Sequence, residues 1–113
     1  MKPIAAGVLG LVLLVGCPAF SGTIDGKTAR ALVKDQKALI LDVRTDDEFN
    51  ARHIDGAVNI PVEDLDKRIA ELTDKKRPII VYCKSGGRSA KAAALLKAAG
   101  FTQVHDLGGI GNW

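Results

Sequence analysis

Cys83 is the residue around which chemistry in this chain has to be built. It stands in Tyr82-Cys83-Lys84-Ser85-Gly86-Gly87-Arg88-Ser89, between the apolar run Pro78-Ile79-Ile80-Val81 and the Ala/Leu-rich stretch Ala90 to Ala99, which Gly100 closes. The first run reads as a buried strand and the second as a helix, so the thiol lies where a strand gives way to a helix. In an open parallel sheet, ligands bind beyond the carboxyl ends of the strands, where helix N-termini offer unpaired N–H groups and positive dipole character. Gly86 and Gly87 carry no Cβ and accept positive φ, so successive N–H groups can turn inward as an anion-binding nest around the sulfur. Lys84 and Arg88 put cationic charge at its rim. Such surroundings lower a cysteine pKa from about 8.5 into the range of roughly 3.5 to 7.5, each unit being about 1.4 kcal/mol in favour of the charged form. Cys83 is therefore expected to be an exposed nucleophile, because an apolar burial site would not place two glycines, a lysine and an arginine beside the sulfur.

The elements that must position this loop follow from the pattern along the chain. Thr23-Ile24 reads as a short edge strand, and Asp25 as the N-cap of a helix from about Gly26 to Asp35 with Ala29, Leu32 and Val33 as its apolar stripe. The nearly continuous apolar run over residues 38–43 reads as a central strand covered on both faces. It ends in Asp42 and Arg44, on the same sheet edge as Cys83 if the strands are parallel. Thr45-Asp46-Asp47-Glu48 has capping-box spacing, which accounts for Glu48 by capping or an ion pair, and Phe49 is expected to be that helix's core contact. A turn over residues 52–56 holds His53 by turn hydrogen bonds, and the short strand Ala57-Val58-Asn59-Ile60 stops at Pro61. Val62, Leu65, Ile69 and Leu72 recur at helical spacing, which predicts a surface helix. After the Cys83 loop and its helix, Gln103 to Asp106 reads as a last strand and Leu107 to Trp113 as an irregular tail. Strands alternating with helices predict an α/β domain with a mainly parallel sheet and helices on both faces.

Composition narrows the function classes. At 113 residues the chain holds one domain large enough for a single core. A net charge of +3 and only 4% aromatic residues leave no basic, aromatic-interleaved stripe of the kind that binds nucleic acid. Lys75-Lys76-Arg77 is the one basic run, and it reads as a solvated turn. Residues 1–22 stand apart: Lys2 precedes an uncharged apolar run from Ile4 to Val15, too short for a comfortable membrane span and of signal-peptide length. Export to the bacterial cell envelope is the expectation. Leu14-Val15-Gly16-Cys17 resembles a lipobox, which makes Cys17 a lipidation candidate and the protein membrane-anchored. Cleavage after Ser21 leaves a soluble periplasmic protein instead, an uncleaved anchor is a third reading, and all three stay open. With Cys17 acylated or removed, Cys83 has no partner for an internal disulfide in an oxidising compartment, and sulfur chemistry would give a free activated thiol there a reason to exist. No cluster has metal-ligand spacing, and no cofactor is implied.

With these pieces in order, the chain after residue 22 resembles a single-domain rhodanese, a sulfurtransferase. The resemblance rests on Leu41-Asp42-Val43-Arg44 with Glu48-Phe49, on His53 to Pro61, on Val81 to Ser89, and on Leu107-Gly108-Gly109-Ile110 with Trp113, all in the family's order. It implies a rhodanese-like three-layer domain over residues 23–113, a parallel central sheet between helices, and a Cys83 that carries a sulfane sulfur as a persulfide. The substrate-binding residues would be Lys84, Ser85, Gly86, Gly87, Arg88 and Ser89, with Asp42, Arg44 and His53 as structural support. The sequence departs from the family where Arg52 and Asp55 replace a frequent Gly and Pro, and where many relatives continue past the tryptophan into a last helix.

The expected chemistry is covalent catalysis in two half-reactions: the thiolate takes the outer sulfur of a small anionic donor such as thiosulfate, sulfite leaves, and a thiol or cyanide removes the stored sulfur. Sulfite leaves readily, so no general acid is required. Two rivals are defined by the same loop. A cysteine phosphatase or arsenate reductase also ends its loop in arginine, but phosphatases need one more residue than the four here, Lys84 to Gly87, to encircle a tetrahedral oxyanion. A non-turnover sulfur carrier or anion-binding module would hold the persulfide, or an anion, for a partner protein.

Overall fold

The computed structural model describes residues 22–113. The expected leader, with its lipidation candidate Cys17, lies outside the described residues apart from Gly22.

Four strands, β1 (Leu39–Asp42), β2 (Val58–Asn59), β3 (Ile79–Cys83) and β4 (Val104–Gly109), form one sheet in the order β2-β1-β3-β4. Every pairing is parallel. The central strands are apolar on both faces because helices cover both, and the alternation along them sorts the core into two layers. Ile79, Val81 and Cys83 of β3 face one layer with Leu41, Val43, Leu65, Ala92 and Leu96; Ile80 and Tyr82 face the other with Ile40, Ala29 and Leu107.

Helix α1 (Gly26–Gln36) covers the second layer. Its Asp25 cap accepts from the Thr28 N–H at 2.8 Å, as the sequence leads one to expect. Thr23-Ile24 does not form a strand: the Ile24 N–H donates once to the Asp106 carbonyl at 2.8 Å and the chain turns straight into the cap. Ile110 and Trp113 pack against the same layer beside α1. Arg30 lies 5.2 Å from the Trp113 ring and donates to its backbone carbonyl.

The other layer is covered by α4 (Gly87–Ala98), whose Ala92 and Ala93 let its backbone approach the sheet, and by the segment over residues 62–71. That segment is not the single helix the spacing predicts. It is a 3₁₀ turn (Val62–Asp64), one turn of α-helix, α3 (Leu65–Arg68), and a second 3₁₀ turn (Ile69–Glu71). Val62, Leu65 and Leu72 are nevertheless buried. Two of the steps in the pattern, 62 to 65 and 69 to 72, are three residues long, and three residues per turn is the 3₁₀ period.

Helix α2 (Asp46–Ala51) carries the expected capping box, with Thr45 accepting from the Glu48 N–H at 3.2 Å and Glu48 accepting from the Thr45 N–H at 3.1 Å. It buries none of its residues, so Phe49 is not the core contact expected of it. The ring stacks on His53 instead, with centroids 3.9 Å apart and planes within 9°.

Candidate active site

Two element boundaries differ from the sequence reading, and both shape the site. Strand β3 continues two residues past Val81, so Tyr82 and Cys83 belong to the sheet. Helix α4 starts three residues before Ala90, which places Arg88 and Ser89 in its first turn and makes Gly86 its N-cap. Only Lys84, Ser85 and Gly86 remain to turn the chain. Gly86 does so at φ 114°, a left-handed conformation that a side chain would strain.

The tight turn folds back over the sulfur. The Gly86 N–H lies 2.9 Å from Cys83 Sγ, and the Ser89 hydroxyl, fully buried, donates to the Gly86 carbonyl at 3.0 Å. Burial pushes the Cys83 thiol up, but the hydrogen bonds of the Ser89 side chain and of the Ser89, Gly86 and Ser85 backbone outweigh it and hold the pKa below the ordinary thiol value. The amides at the start of α4 thus favour the thiolate, as helix N-termini and nests do.

The expectation of an exposed thiol is corrected: Cys83 is only 1% accessible. As the last residue of a central strand it points into the layer beneath α4. Its cover on the outer side is the turn itself, where Lys84 and Ser85 are exposed and Gly86 half-buried.

The turn is in turn supported by β4, an element the sequence reading ended too early. The tail expected from Leu107 onward is in fact strand to Gly109, with Leu107 as an extra residue between the pairs Val81–Asp106 and Tyr82–Gly108. A Cβ at Gly109 would lie 2.5 Å from the Lys84 carbonyl oxygen, so only glycine lets β4 run this close under the loop. The Gly-Gly pair after Leu107 was the available signal for this approach.

Asp42 and Arg44 form a buried pair, 0% and 6% accessible. Arg44 Nε and Nη2 donate to the Asp42 carboxylate at 3.0 and 2.7 Å, the Arg44 N–H donates to it at 2.9 Å, and Nη2 also donates to the Arg52 carbonyl at 2.6 Å. The guanidinium lies 5.5 Å from the Tyr82 ring, whose hydroxyl accepts from the Ile54 N–H at 3.1 Å. Burial first, then the Asp42 carboxylate, pushes Tyr82 up to about 12. Asn59, which sequence reasoning did not single out, donates to the Asp42 and Arg44 carbonyls at 3.0 Å each. These bonds tie β1, β2, β3 and the turn over residues 52–56 together at the edge where the loop emerges, and none of them reaches residues 83–89. His53 Nδ1 lies 2.9 Å from the Phe49 carbonyl, a turn contact. Arg52 is extended at φ −170°, a conformation any residue adopts, so the glycine frequent there in relatives is not required.

Arg88 does not point its charge freely at the loop mouth. Its Nη1 and Nη2 donate to Glu48 Oε1 and Oε2 at 2.7 and 3.0 Å, a two-pronged bond from α4 to α2. The Arg88 guanidinium, followed by the Thr45 bonds, holds the Glu48 carboxyl at about 2. Among the described residues no group of three His, Cys, Asp or Glu side chains is placed to hold a metal ion.

The family description "Rhodanese-like domain" matches residues 25–113. The chain is 37% identical over 71 residues to the thiosulfate sulfurtransferase PspE of Escherichia coli (strain K12), covering 62% of this chain and 68% of the relative. It is 36% identical over 83 residues to the thiosulfate sulfurtransferase GlpE of Coxiella burnetii (strain RSA 331 / Henzerling II), covering 73% and 77%. Among solved structures, the rhodanese-like domain of the Anabaena sp. Alr3790 protein, determined by solution NMR, superposes with a TM-score of 0.72 at 34% identity, over 80% of this chain and 71% of that one.

Proposed function

This chain belongs to the rhodanese-like family, and from that premise we propose that it is an enzyme, a thiosulfate sulfurtransferase working through a Cys83 persulfide. Sulfur transfer as the kind of chemistry is supported by the family and by relatives named for it. The observation that carries the finer reading is the Gly86 N–H donating at 2.9 Å to a nearly buried Cys83 sulfur at the start of α4, where the surrounding donors hold the thiol below its ordinary pKa despite burial.

In the first half-reaction the Cys83 thiolate attacks the outer sulfur of thiosulfate. A Cys83 S–S bond forms, the donor's S–S bond breaks, and its electron pair leaves with sulfite, so the negative charge of the thiolate passes to the new terminal sulfur. In the second, a thiol or cyanide attacks that terminal sulfur and the Cys83 thiolate is released. No proton has to move in the first step. The same backbone donors face the thiolate before transfer and, with the turn closed again, the persulfide after it. Reaction requires the Lys84–Gly86 turn to lift off the sulfur, and the glycines at 86 and 87 make it the part of the loop best able to do so. Arg88 bonded outward to Glu48 weighs against a phosphatase, whose arginine must face the bound oxyanion.

The leader-like run over residues 1–22 supports placing this reaction in the bacterial cell envelope, in the periplasm or anchored there through a lipidated Cys17. Incubation with thiosulfate, followed by mass spectrometry, is expected to show a gain of one sulfur atom on Cys83. Added cyanide should then give thiocyanate over many turnovers. Loading without turnover would replace the enzyme by a sulfur carrier, and turnover of p-nitrophenyl phosphate without loading would overturn both.

A further inference from the structure

The charges around the loop mouth nearly cancel, and one of them controls the balance. Arg88 and Glu48 are each partly exposed, at 33% and 28% of their side chains, and are joined by both prongs of the guanidinium. Glu63 adds a second carboxylate field at Arg88, and the Cys83 thiolate itself is a further negative charge. Lys84, exposed, is left as the cation of the loop without an ion-pair partner among the described residues. The expectation that Lys84 and Arg88 together attract an anion is thus half met: the Arg88 charge is already answered.

On the sulfurtransferase reading above, we infer that Glu48, by neutralising Arg88, sets the charge selectivity of the donor site, favouring sulfane donors that carry one negative charge over the doubly charged thiosulfate. A singly charged donor is matched by Lys84 and the backbone amides. The second charge of a dianion meets Glu48 and Glu63 in place of a free guanidinium. An alkanethiosulfonate would react by the same displacement: the Cys83 thiolate takes the outer sulfur, the donor's S–S bond breaks, and the electron pair leaves on a sulfinate in place of sulfite. Glu48 acts through Arg88 and touches no reacting atom, so it is a positioning residue.

Glu48→Gln isolates this effect, because glutamine still suits the third helical position of the capping box and can accept from the Thr45 N–H. Initial rates with thiosulfate and with methanethiosulfonate, cyanide as acceptor, test it at low and high salt. An added unit of positive potential acts twice on a dianion, so kcat/KM should rise about 2.5-fold for methanethiosulfonate and about 6-fold for thiosulfate at low ionic strength, through KM. Both gains should vanish in about 0.5 M salt, and in Glu48→Gln/Arg88→Gln at any salt concentration. Equal changes for the two donors, a salt-independent change, or a fall in kcat for both would show a merely structural clamp and overturn the inference. Failure of the wild type to turn over either donor would instead remove the sulfurtransferase reading itself, and the inference with it.

Discussion

Cys83→Ser is expected to abolish sulfur transfer while leaving the fold in place. Serine nearly keeps the size and the hydrogen-bonding geometry of the position, so the Gly86 N–H retains a partner, and the Ser89 hydroxyl keeps its bond to the Gly86 carbonyl. An alcohol is not ionised at neutral pH, and its oxygen cannot carry a sulfane sulfur reversibly. Thiocyanate formation should therefore fall by at least about 10⁴-fold, as when a covalent nucleophile is removed elsewhere, and the thiosulfate-dependent mass gain should disappear. Cys83 is the free cysteine among the described residues. Retention of more than about a hundredth of the activity, at unchanged melting temperature, would move the chemistry to another group.

Asp42→Ala should have the largest effect on stability. The carboxylate is fully buried and answers a guanidinium that is itself 6% accessible. Removing it leaves Arg44 with the Arg52 carbonyl at 2.6 Å and the face of Tyr82, and no counter-charge. Breaking a buried pair from one side typically costs about 3–5 kcal/mol, a large fraction of what a domain of this size has. Urea denaturation should show that loss, and replacing both partners together by apolar residues should recover much of it. Because no bond from this pair reaches residues 83–89, kcat per folded molecule should stay near that of the wild type. A loss under about 1 kcal/mol, or a kcat collapse in fully folded protein, would contradict the account of Asp42 and Arg44 as scaffold.

What the sequence conveyed and what it concealed divide along physical lines. Local signals were legible because their causes are local: Asp25 and Thr45 cap the helices that follow them, and the apolar run over residues 38–43 marks a strand buried on both faces. The cysteine between strand and helix likewise located the loop. The exposure of the thiol was misjudged because periodicity does not show where a strand stops: β3 runs on through Cys83 and the turn over it is only Lys84–Gly86. The ion pair expected of Glu48 as an alternative to capping does form beside the capping box, but its partner was invisible, since Arg88 lies forty positions away. Phe49 had an apolar side chain on a short helix, and the stack with His53 across the next turn absorbed it where the core was expected to. The segment over residues 62–71 showed its buried face correctly but not its hydrogen-bond pattern, which apolar spacing alone does not distinguish at three-residue steps.

The central claim is that donors of the turn and of the start of α4 favour the thiolate of a nearly buried cysteine, and the pH dependence of its alkylation tests that most directly. Ionisation releases a proton from the thiol, so donors that stabilise the thiolate move the midpoint down in pH. The rate of iodoacetamide reaction, followed by mass on Cys83, should titrate with a midpoint clearly below the about 8.5 of a free cysteine, and Ser89→Ala should shift it upward. A midpoint at or above the free-thiol value in the folded wild type would contradict the account.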